Sequence, residues 1–175
     1  MDNAVIKALK ERRSIRAYKP EQITDDELKT VLEAGTWAPT ARGLQDPWIV
    51  AVQKPELLNR ISRMNAAVWG REDIDPFYGA PTYVLVFGSA DSKTAVPDGA
   101  LVLGNMMLAA HAIGLGSCWI NREREMFATD EGKALMAELG LPEGLIGIGA
   151  LALGYPAAPA KEPKPRKTDY WRIVK

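Results

Sequence analysis

The sequence predicts a single domain built from alternating helices and strands. Its 175 residues are enough to bury one sizeable core. With 47% apolar and 25% charged residues, the composition is that of an ordinary globular protein, which excludes disordered and collagen-like classes. Segments of helical periodicity alternate with short apolar runs, and no internal repeat interrupts them. We expect one domain over residues 1–175, with residues 156–175 forming a C-terminal arm.

The first third of the chain predicts three helices and one strand. Apolar residues within 5–9 share one face of a short helix. A capping box begins at Thr24, with a glutamate three residues later, and the helix that follows is predicted to end at Gly35. Residues 48–53 are an apolar run typical of a strand. Pro55 then opens another helix, at the position where proline is favoured.

The middle of the chain predicts an irregular segment, then a buried strand, a long helix and another strand. Residues 69–81 are rich in helix breakers and are a candidate for a mobile lid, while residues 82–88 form an apolar strand. Residues 97–113 predict a helix that is apolar nearly all round and must be covered on every side. Its many small residues would let a helix of a partner subunit approach closely. A strand is expected at 115–120.

One uncharged run and the C-terminal third complete the pattern. Residues 99–121 carry no formal charge and are long enough to span a bilayer, but two glycines near position 115 would break a spanning helix. A buried helix followed by a buried strand is the better interpretation, without a membrane. Residues 129–139 predict a helix and residues 145–155 a long strand. The Pro/Lys-rich segment 156–167 predicts an extended arm that is disordered or wraps a neighbour.

Both ends of the chain are basic although its net charge is zero. Residues 1–19 contain six cations and two carboxylates, and residues 161–175 contain the same numbers, so each end carries +4. Such ends suggest convergence on one anion rather than a polyanion surface, and the neutral total argues against a nucleic-acid partner. Residues 12–16 place three arginines and a serine together, which are donors that suit phosphate.

Conventional catalytic sets are missing from the sequence. His111 is the only histidine and Cys118 the only cysteine, so they cannot build a usual zinc site, and no metal is expected. Neither a GxSxG nor a Walker A pattern occurs. An enzyme without its own acid, base, nucleophile or metal usually borrows the chemistry of a cofactor. The single cysteine and the charged N-terminus favour a reducing, cytoplasmic location.

Five segments carry a family resemblance in the family's order. Residues 12–18 (RRSIRAY) match R-x-S-x-R/K-x-F/Y, and residues 38–45 (APTARGLQ) match much of A-P-S/T-x-x-N-x-Q-P-W. Residues 103–119 are similar to a central helix and strand, and 151–156 and 164–166 to a closing strand and arm. Together they resemble the nitroreductase family of flavin mononucleotide (FMN) oxidoreductases, of the oxygen-insensitive type.

The sequence departs from the family pattern beside the second motif. Gly43 replaces the usual asparagine, which removes a polar side chain near the flavin. Asp46 and Pro47 stand where the family has Pro-Trp, with Trp48 one place later, so a carboxylate is expected beside the pocket. Residues 69–76 cannot be matched one by one, and any flavin contact from them stays unassigned.

The resemblance implies a fold and a cofactor site. The fold is α+β, with a mainly antiparallel central sheet wrapped by helices, in an intertwined homodimer whose C-terminal arms cross to the partner. Arg16 would approach N1 and O2 of the flavin ring, and residues of the second motif would come partly from the second subunit. The implied FMN-binding residues are Arg12, Arg13, Ser14, Arg16, Pro39, Thr40, Ala41, Gly43, Gln45, Cys118, Trp119, Ile120, Lys164 and Arg166. Four of these would hold the phosphate and ribityl chain, namely Arg12, Ser14, Lys164 and Arg166.

The resemblance also implies an activity. NADH or NADPH would reduce FMN by hydride transfer to N5, and a small electron-poor acceptor such as a nitroaromatic or quinone would take the electrons in a ping-pong cycle. No protein side chain would be catalytic in the strict sense. Two alternatives stay open: a flavoenzyme of this fold with another reaction (dehalogenation, flavin destruction, or ring or thioether dehydrogenation), and a non-catalytic flavin-binding dimer.

Overall fold

The computed structural model describes residues 2–175 and shows a four-stranded antiparallel sheet with helices on both faces. In chain order the elements are α1 (Ala4–Glu11), α2 (Asp25–Thr36), β1 (Trp48–Val52), α3 (Pro55–Trp69), β2 (Thr82–Ser89), α4 (Ala95–Ala112), β3 (Gly116–Ile120), α5 (Glu123–Ala128), α6 (Asp130–Glu138) and β4 (Leu145–Gly154). The strand order is β1-β2-β4-β3, and every neighbouring pair is antiparallel. The expected α+β class is therefore confirmed.

The sheet separates two apolar clusters because successive side chains of a strand point to opposite faces. Leu85 and Phe87 of β2 join α3, α5 and α6 on one face. Val84 and Val86 join α2 and α4 on the other. All four side chains are fully buried, so β2 is covered on both faces, which explains its continuous apolar sequence.

Helix α2 has the predicted start and is tied to the end of β4. The Thr24 hydroxyl accepts from the Glu27 backbone N–H, and the Glu27 carboxylate accepts from the Thr24 N–H at 2.8 Å. The same carboxylate accepts from the Tyr155 hydroxyl at 2.6 Å. The helix ends at Thr36, one residue beyond the predicted Gly35.

Helix α4 begins at Ala95, two residues before the predicted start, and β3 follows after a short turn. The uncharged run is thus a helix followed by a strand, as predicted. Within residues 2–175, no helix is both long and apolar enough to cross a membrane. The expected all-round cover is incomplete in one chain, because Val96 and Leu101 are each 47% exposed. The free side of α4 is available to another molecule.

Helix α5 was not predicted from the sequence, because the only helix predicted between β3 and β4 was at 129–139. Its six residues begin with the charged run Glu123–Glu125, and no apolar periodicity marks so short a segment. Thr129 is the N-cap of α6, because its hydroxyl accepts from the Gly132 N–H at 3.0 Å.

The segment 70–81 is irregular, as predicted, but its second half is fixed in the core. Phe77 is fully buried and stacks on Tyr83 with ring centroids 3.7 Å apart. Residues 70–73 are exposed, and a lid formed by them stays a prediction. The arm beyond Pro156 is extended, and residues 157–175 are exposed along their length.

Candidate functional site

The N-terminal basic segment lies between β3 and the start of the arm. The Ile15 N–H donates to the Ser117 carbonyl at 3.0 Å, and the Ala157 N–H donates to the Ala17 carbonyl at 3.0 Å. Gly116 permits this approach, because a Cβ there would lie 2.9 Å from the Ile15 side chain. Backbone pairing therefore brings the two ends of the chain together.

The two basic ends line one cavity of about 700 Å³ between residues 13–17 and 158–166. Its ionisable lining consists of one carboxylate, Glu162, and five cations, namely Arg13, Arg16, Lys161, Lys164 and Arg166. Ser14 adds a hydroxyl. The convergence that the charge pattern predicted is therefore present within a single chain, and the cavity favours an anionic ligand.

Arg12 and Arg13 have different surroundings, and of the two it is Arg13 that lines this cavity. One terminal guanidinium nitrogen of Arg12 (Nη1) is buried and has no hydrogen-bond partner within residues 2–175. A buried donor of this kind is costly unless a ligand or water completes it. Arg13 donates through Nη1 to the Lys10 carbonyl at 2.7 Å, so it closes the end of α1. The buried donor without a partner therefore belongs to Arg12, whereas Nη1 of Arg13 is engaged by the backbone.

Strand β3 lies next to the arginines of the first motif, although none of its residues lines the cavity. Burial raises the pKa of the Cys118 thiol, and the charges of Arg16 and Arg12 and the Ser14 hydroxyl offset this only in part. These four groups therefore lie together, and the thiol stays protonated and unreactive. Cys118 and Ile120 are each only 3% exposed, backbone included, so their expected contact with the flavin stays a prediction.

The second motif forms a preshaped loop. Its short 3-10 helix at Ala41–Gly43 contains Arg42 at φ 54°, and Gln45 follows at φ 52°. Two non-glycine residues with left-handed backbones in one short loop indicate that surrounding contacts fix it. One such contact is Asp98 of α4, whose buried carboxylate oxygens each accept from the Ala41 N–H at 3.2 Å.

The second motif does not reach the cationic cavity of its own chain. Thr40 and Gln45 line a separate cavity of about 130 Å³ beside α2 and α4, and Pro39 is exposed. Around this loop Trp37 is 79% exposed and Leu44 58% exposed. The candidate residues thus fall into two groups, and a single chain assembles only the first.

The two departures from the family pattern have structural explanations. Gly43 has φ 64°, and no atom lies within 4 Å of where its Cβ would be, so the left-handed backbone rather than lack of space favours glycine. The carboxylate of Asp46 accepts from the Ser89 N–H at 3.2 Å, at the end of β2. One oxygen of this carboxylate is therefore held by the sheet, and its expected place beside the pocket stays a prediction.

Sequence reasoning missed Asp98 and Tyr78. Asp98 had a signal, since it is the last charge before the long uncharged run. Tyr78 had none, although its ring centroid lies 5.9 Å from the Arg16 guanidinium carbon. Among residues 2–175, no cluster of three or more His, Cys, Asp or Glu side chains could hold a metal ion.

The family model for the nitroreductase family matches residues 9–155, which include the first motif at 12–18, the second motif at 38–45 and the whole sheet. The chain belongs to the nitroreductase family. This nitroreductase-family chain is similar to the structure of a nitroreductase with bound FMN from Bacteroides fragilis NCTC 9343. The two are 33% identical, with a TM-score of 0.92 and coverage of 99% of this chain and 100% of the other.

Two further relatives are named for an activity. An FMN-dependent nitroreductase structure from Clostridium difficile R20291 is 27% identical, with a TM-score of 0.88 over 99% of this chain and 100% of that one. The FMN reductase [NAD(P)H] of Bacillus subtilis strain 168 is 27% identical over 93% of this chain and 70% of its own length.

Proposed function

We propose that this protein is an FMN-dependent oxidoreductase that uses NADH or NADPH and passes electrons to a small electron-poor acceptor, such as a nitroaromatic or a quinone. The observation that carries the proposal is the cavity of about 700 Å³ in which the two basic ends of the chain meet. The relatives named for FMN and for NAD(P)H support it.

The residues of the cavity fit the phosphate end of FMN. A phosphate monoester is a dianion, and five cations against one carboxylate supply the matching charge. The unpartnered buried nitrogen of Arg12 is a donor that a phosphate or ribityl oxygen would complete. Ser14 on the N-terminal segment and Lys164 and Arg166 on the arm supply further donors around the cavity.

Arg16 would tune the cofactor rather than only retain it. When bound, FMN supplies the redox chemistry, since it accepts a hydride from a nicotinamide and releases the electrons to the acceptor. A guanidinium beside N1 and the C2 carbonyl stabilises the negative charge that reduction places there. Arg16 lies near Cys118 of β3, whereas Lys164 and Arg166 lie on the arm, so these cations can act on different parts of the ligand.

The complete site would need a homodimer. The second motif, including Thr40, Ala41 and Gly43, is separated from the cationic cavity of its own chain, and exposed apolar side chains surround it and cover the free side of α4. Residues 156–175 would pack on the partner subunit, next to the second motif that the partner contributes. Interfaces of this obligate kind typically bury more than ~2,000 Å². We place the protein in the cytoplasm, where the single buried Cys118 stays reduced.

Titration of the apoprotein with FMN and with riboflavin tests the proposal. Riboflavin lacks the phosphate, so it should bind at least ~100-fold more weakly, because each charge-assisted hydrogen bond contributes about 1.5–3 kcal/mol. NADH or NADPH should bleach the bound flavin under anaerobic conditions, and a quinone should restore its colour. Equal affinity for both flavins would refute the phosphate site. If FMN binds but neither nicotinamide bleaches it, the alternative of a non-catalytic flavin-binding dimer is favoured.

Two arginine variants separate the parts of the proposed site. Arg166→Ala should weaken FMN binding and leave the reduction potential of the bound flavin nearly unchanged. Arg16→Ala should make that potential more negative and slow reduction by the nicotinamide, even when the protein is saturated. Potentiometry on both saturated variants measures the difference. If Arg16→Ala keeps the parent potential, Arg16 is a phosphate-binding or structural residue.

A further inference from the structure

Tyr78 has an unusual backbone conformation for its residue type. Its φ is 60°, in the left-handed region, where a bulky side chain is disfavoured. Gly79 follows at φ 70°, so the chain makes two successive left-handed steps at this point. Such conformations persist only where the surrounding contacts hold them, and they concentrate at functional sites.

Two sets of contacts hold this turn on either side of Tyr78. The Asp75 carboxylate accepts from the Phe77 N–H at 2.9 Å and from the Gly79 N–H at 2.6 Å, and it also accepts from the Ser62 hydroxyl at 2.7 Å. Phe77 itself is fully buried and stacks on a core tyrosine. The backbone of Tyr78 therefore has fixed neighbours on both sides.

The half-buried ring of Tyr78 faces Arg16. The guanidinium carbon of Arg16 lies over the ring, 5.9 Å from its centroid, within the range of a cation–π interaction. No salt bridge joins Arg16 to a carboxylate in the part of the chain described. An aromatic face attracts the guanidinium without occupying the in-plane N–H donors, which stay available to a ligand.

We infer that Tyr78 is a positioning residue that holds the Arg16 guanidinium toward the ring of bound flavin. The inference rests on the proposed function, and it gives the irregular segment before β2 a part in the site. A carboxylate in this place would neutralise the arginine and compete with the flavin for its donors. An aromatic ring restrains the side chain while its charge and donors stay free.

Substitutions at Tyr78 separate this role from simple packing. Tyr78→Phe keeps the ring face and should have the midpoint potential and FMN dissociation constant of the parent. Tyr78→Leu removes the aromatic face and should shift the potential of the bound flavin to a more negative value. Tyr78→Gly should shift the potential in the same direction while its left-handed backbone becomes unstrained, so the apoprotein should stay folded by circular dichroism.

A double-variant cycle completes the test. In the Arg16→Ala background, Tyr78→Leu should cause little further shift, because the guanidinium that Tyr78 positions is absent. An unchanged potential in Tyr78→Leu and Tyr78→Gly, or an equal shift with and without Arg16, would overturn the inference and leave the FMN site standing. If the parent protein binds no FMN, the proposed function fails first, and this result is distinct from both.

Discussion

The cationic cavity and the loop of the second motif form their shapes by different means. The cavity is assembled by backbone pairing between the N-terminal segment and the start of the arm, and both contributors belong to one chain. The loop is held from behind by Asp98 and presents exposed apolar side chains to the outside. Under the proposed function, the first region would bind the phosphate, whereas the second would contribute only after a partner subunit meets it.

The largest expected effect is loss of the arm. Deleting residues 156–175 removes three of the five cations of the cavity, so FMN should bind roughly 100-fold more weakly or worse. Dimer stability should fall as well, and light scattering with flavin titration measures both. A matched control deletes only residues 170–175 and leaves Lys164 and Arg166 in place. Parent-like affinity after the long deletion would show that the arm is only a tail.

The second effect concerns the apolar surface beside the loop. Leu101 is 47% exposed on α4, and Leu101→Asp should yield a folded monomer with little FMN, because each buried charge would cost about 3 kcal/mol or more. Ala134→Asp, on an exposed face of α6, is the control and should stay dimeric. A Leu101→Asp dimer with full flavin occupancy would place the interface elsewhere.

A buried carboxylate outside both regions provides a contrast in stability. Burial raises the pKa of Glu123 to about 8, because the side chain is 1% exposed and one of its oxygens has no partner within residues 2–175. The folded state therefore keeps a proton that the unfolded chain releases above about pH 4.5, so stability should fall as the pH rises from there to about 8.

Glu123→Gln should remove this dependence. The melting temperature of the variant minus that of the parent should rise by several degrees from pH 5 to pH 9, at about 2–4 °C for each kcal/mol of stability. FMN affinity should not change, since Glu123 lies in neither region of the site. Melting curves at both pH values check the prediction, and a constant difference between the two proteins would contradict the raised pKa.

The smallest effect is expected inside the loop. Gly43→Asn restores the residue that the family pattern favours, and asparagine tolerates the left-handed backbone, so stability should change by less than about 1 kcal/mol. Any functional change should appear in the Michaelis constant for the acceptor and leave FMN affinity unchanged. Gly43→Val is the control, because a β-branched residue is strained at positive φ and should lower stability more. A large loss of FMN affinity in Gly43→Asn would show that the loop also binds the phosphate end.

The sequence predicted local features better than distant ones. Local contacts within a few residues determine the capping box at Thr24 and the proline start of α3, so both patterns are visible in the sequence. The charge of +4 at each end of a neutral chain predicted that the two basic ends would meet. Helix α5 was too short to show a period, and the left-handed Tyr78 depends on Asp75 and the packing of Phe77, which no residue pattern expresses.

The contacts of Tyr155 fix one end of the arm and thereby limit how far its charged residues can reach. The Tyr155 hydroxyl donates to Glu27, and Pro156 pairs with Tyr18, so the exposed arm at 157–175 starts from a fixed point. Lys164 lies about nine residues further on, within ~30 Å of that point at full extension. Tethering at this length gives the Lys164 ammonium group an effective concentration in the millimolar range near the cavity, in its own subunit or in the partner. Under the proposed function, binding of the ligand would also order the arm, and the rate at which the arm leaves the phosphate would help to set how long the ligand stays bound.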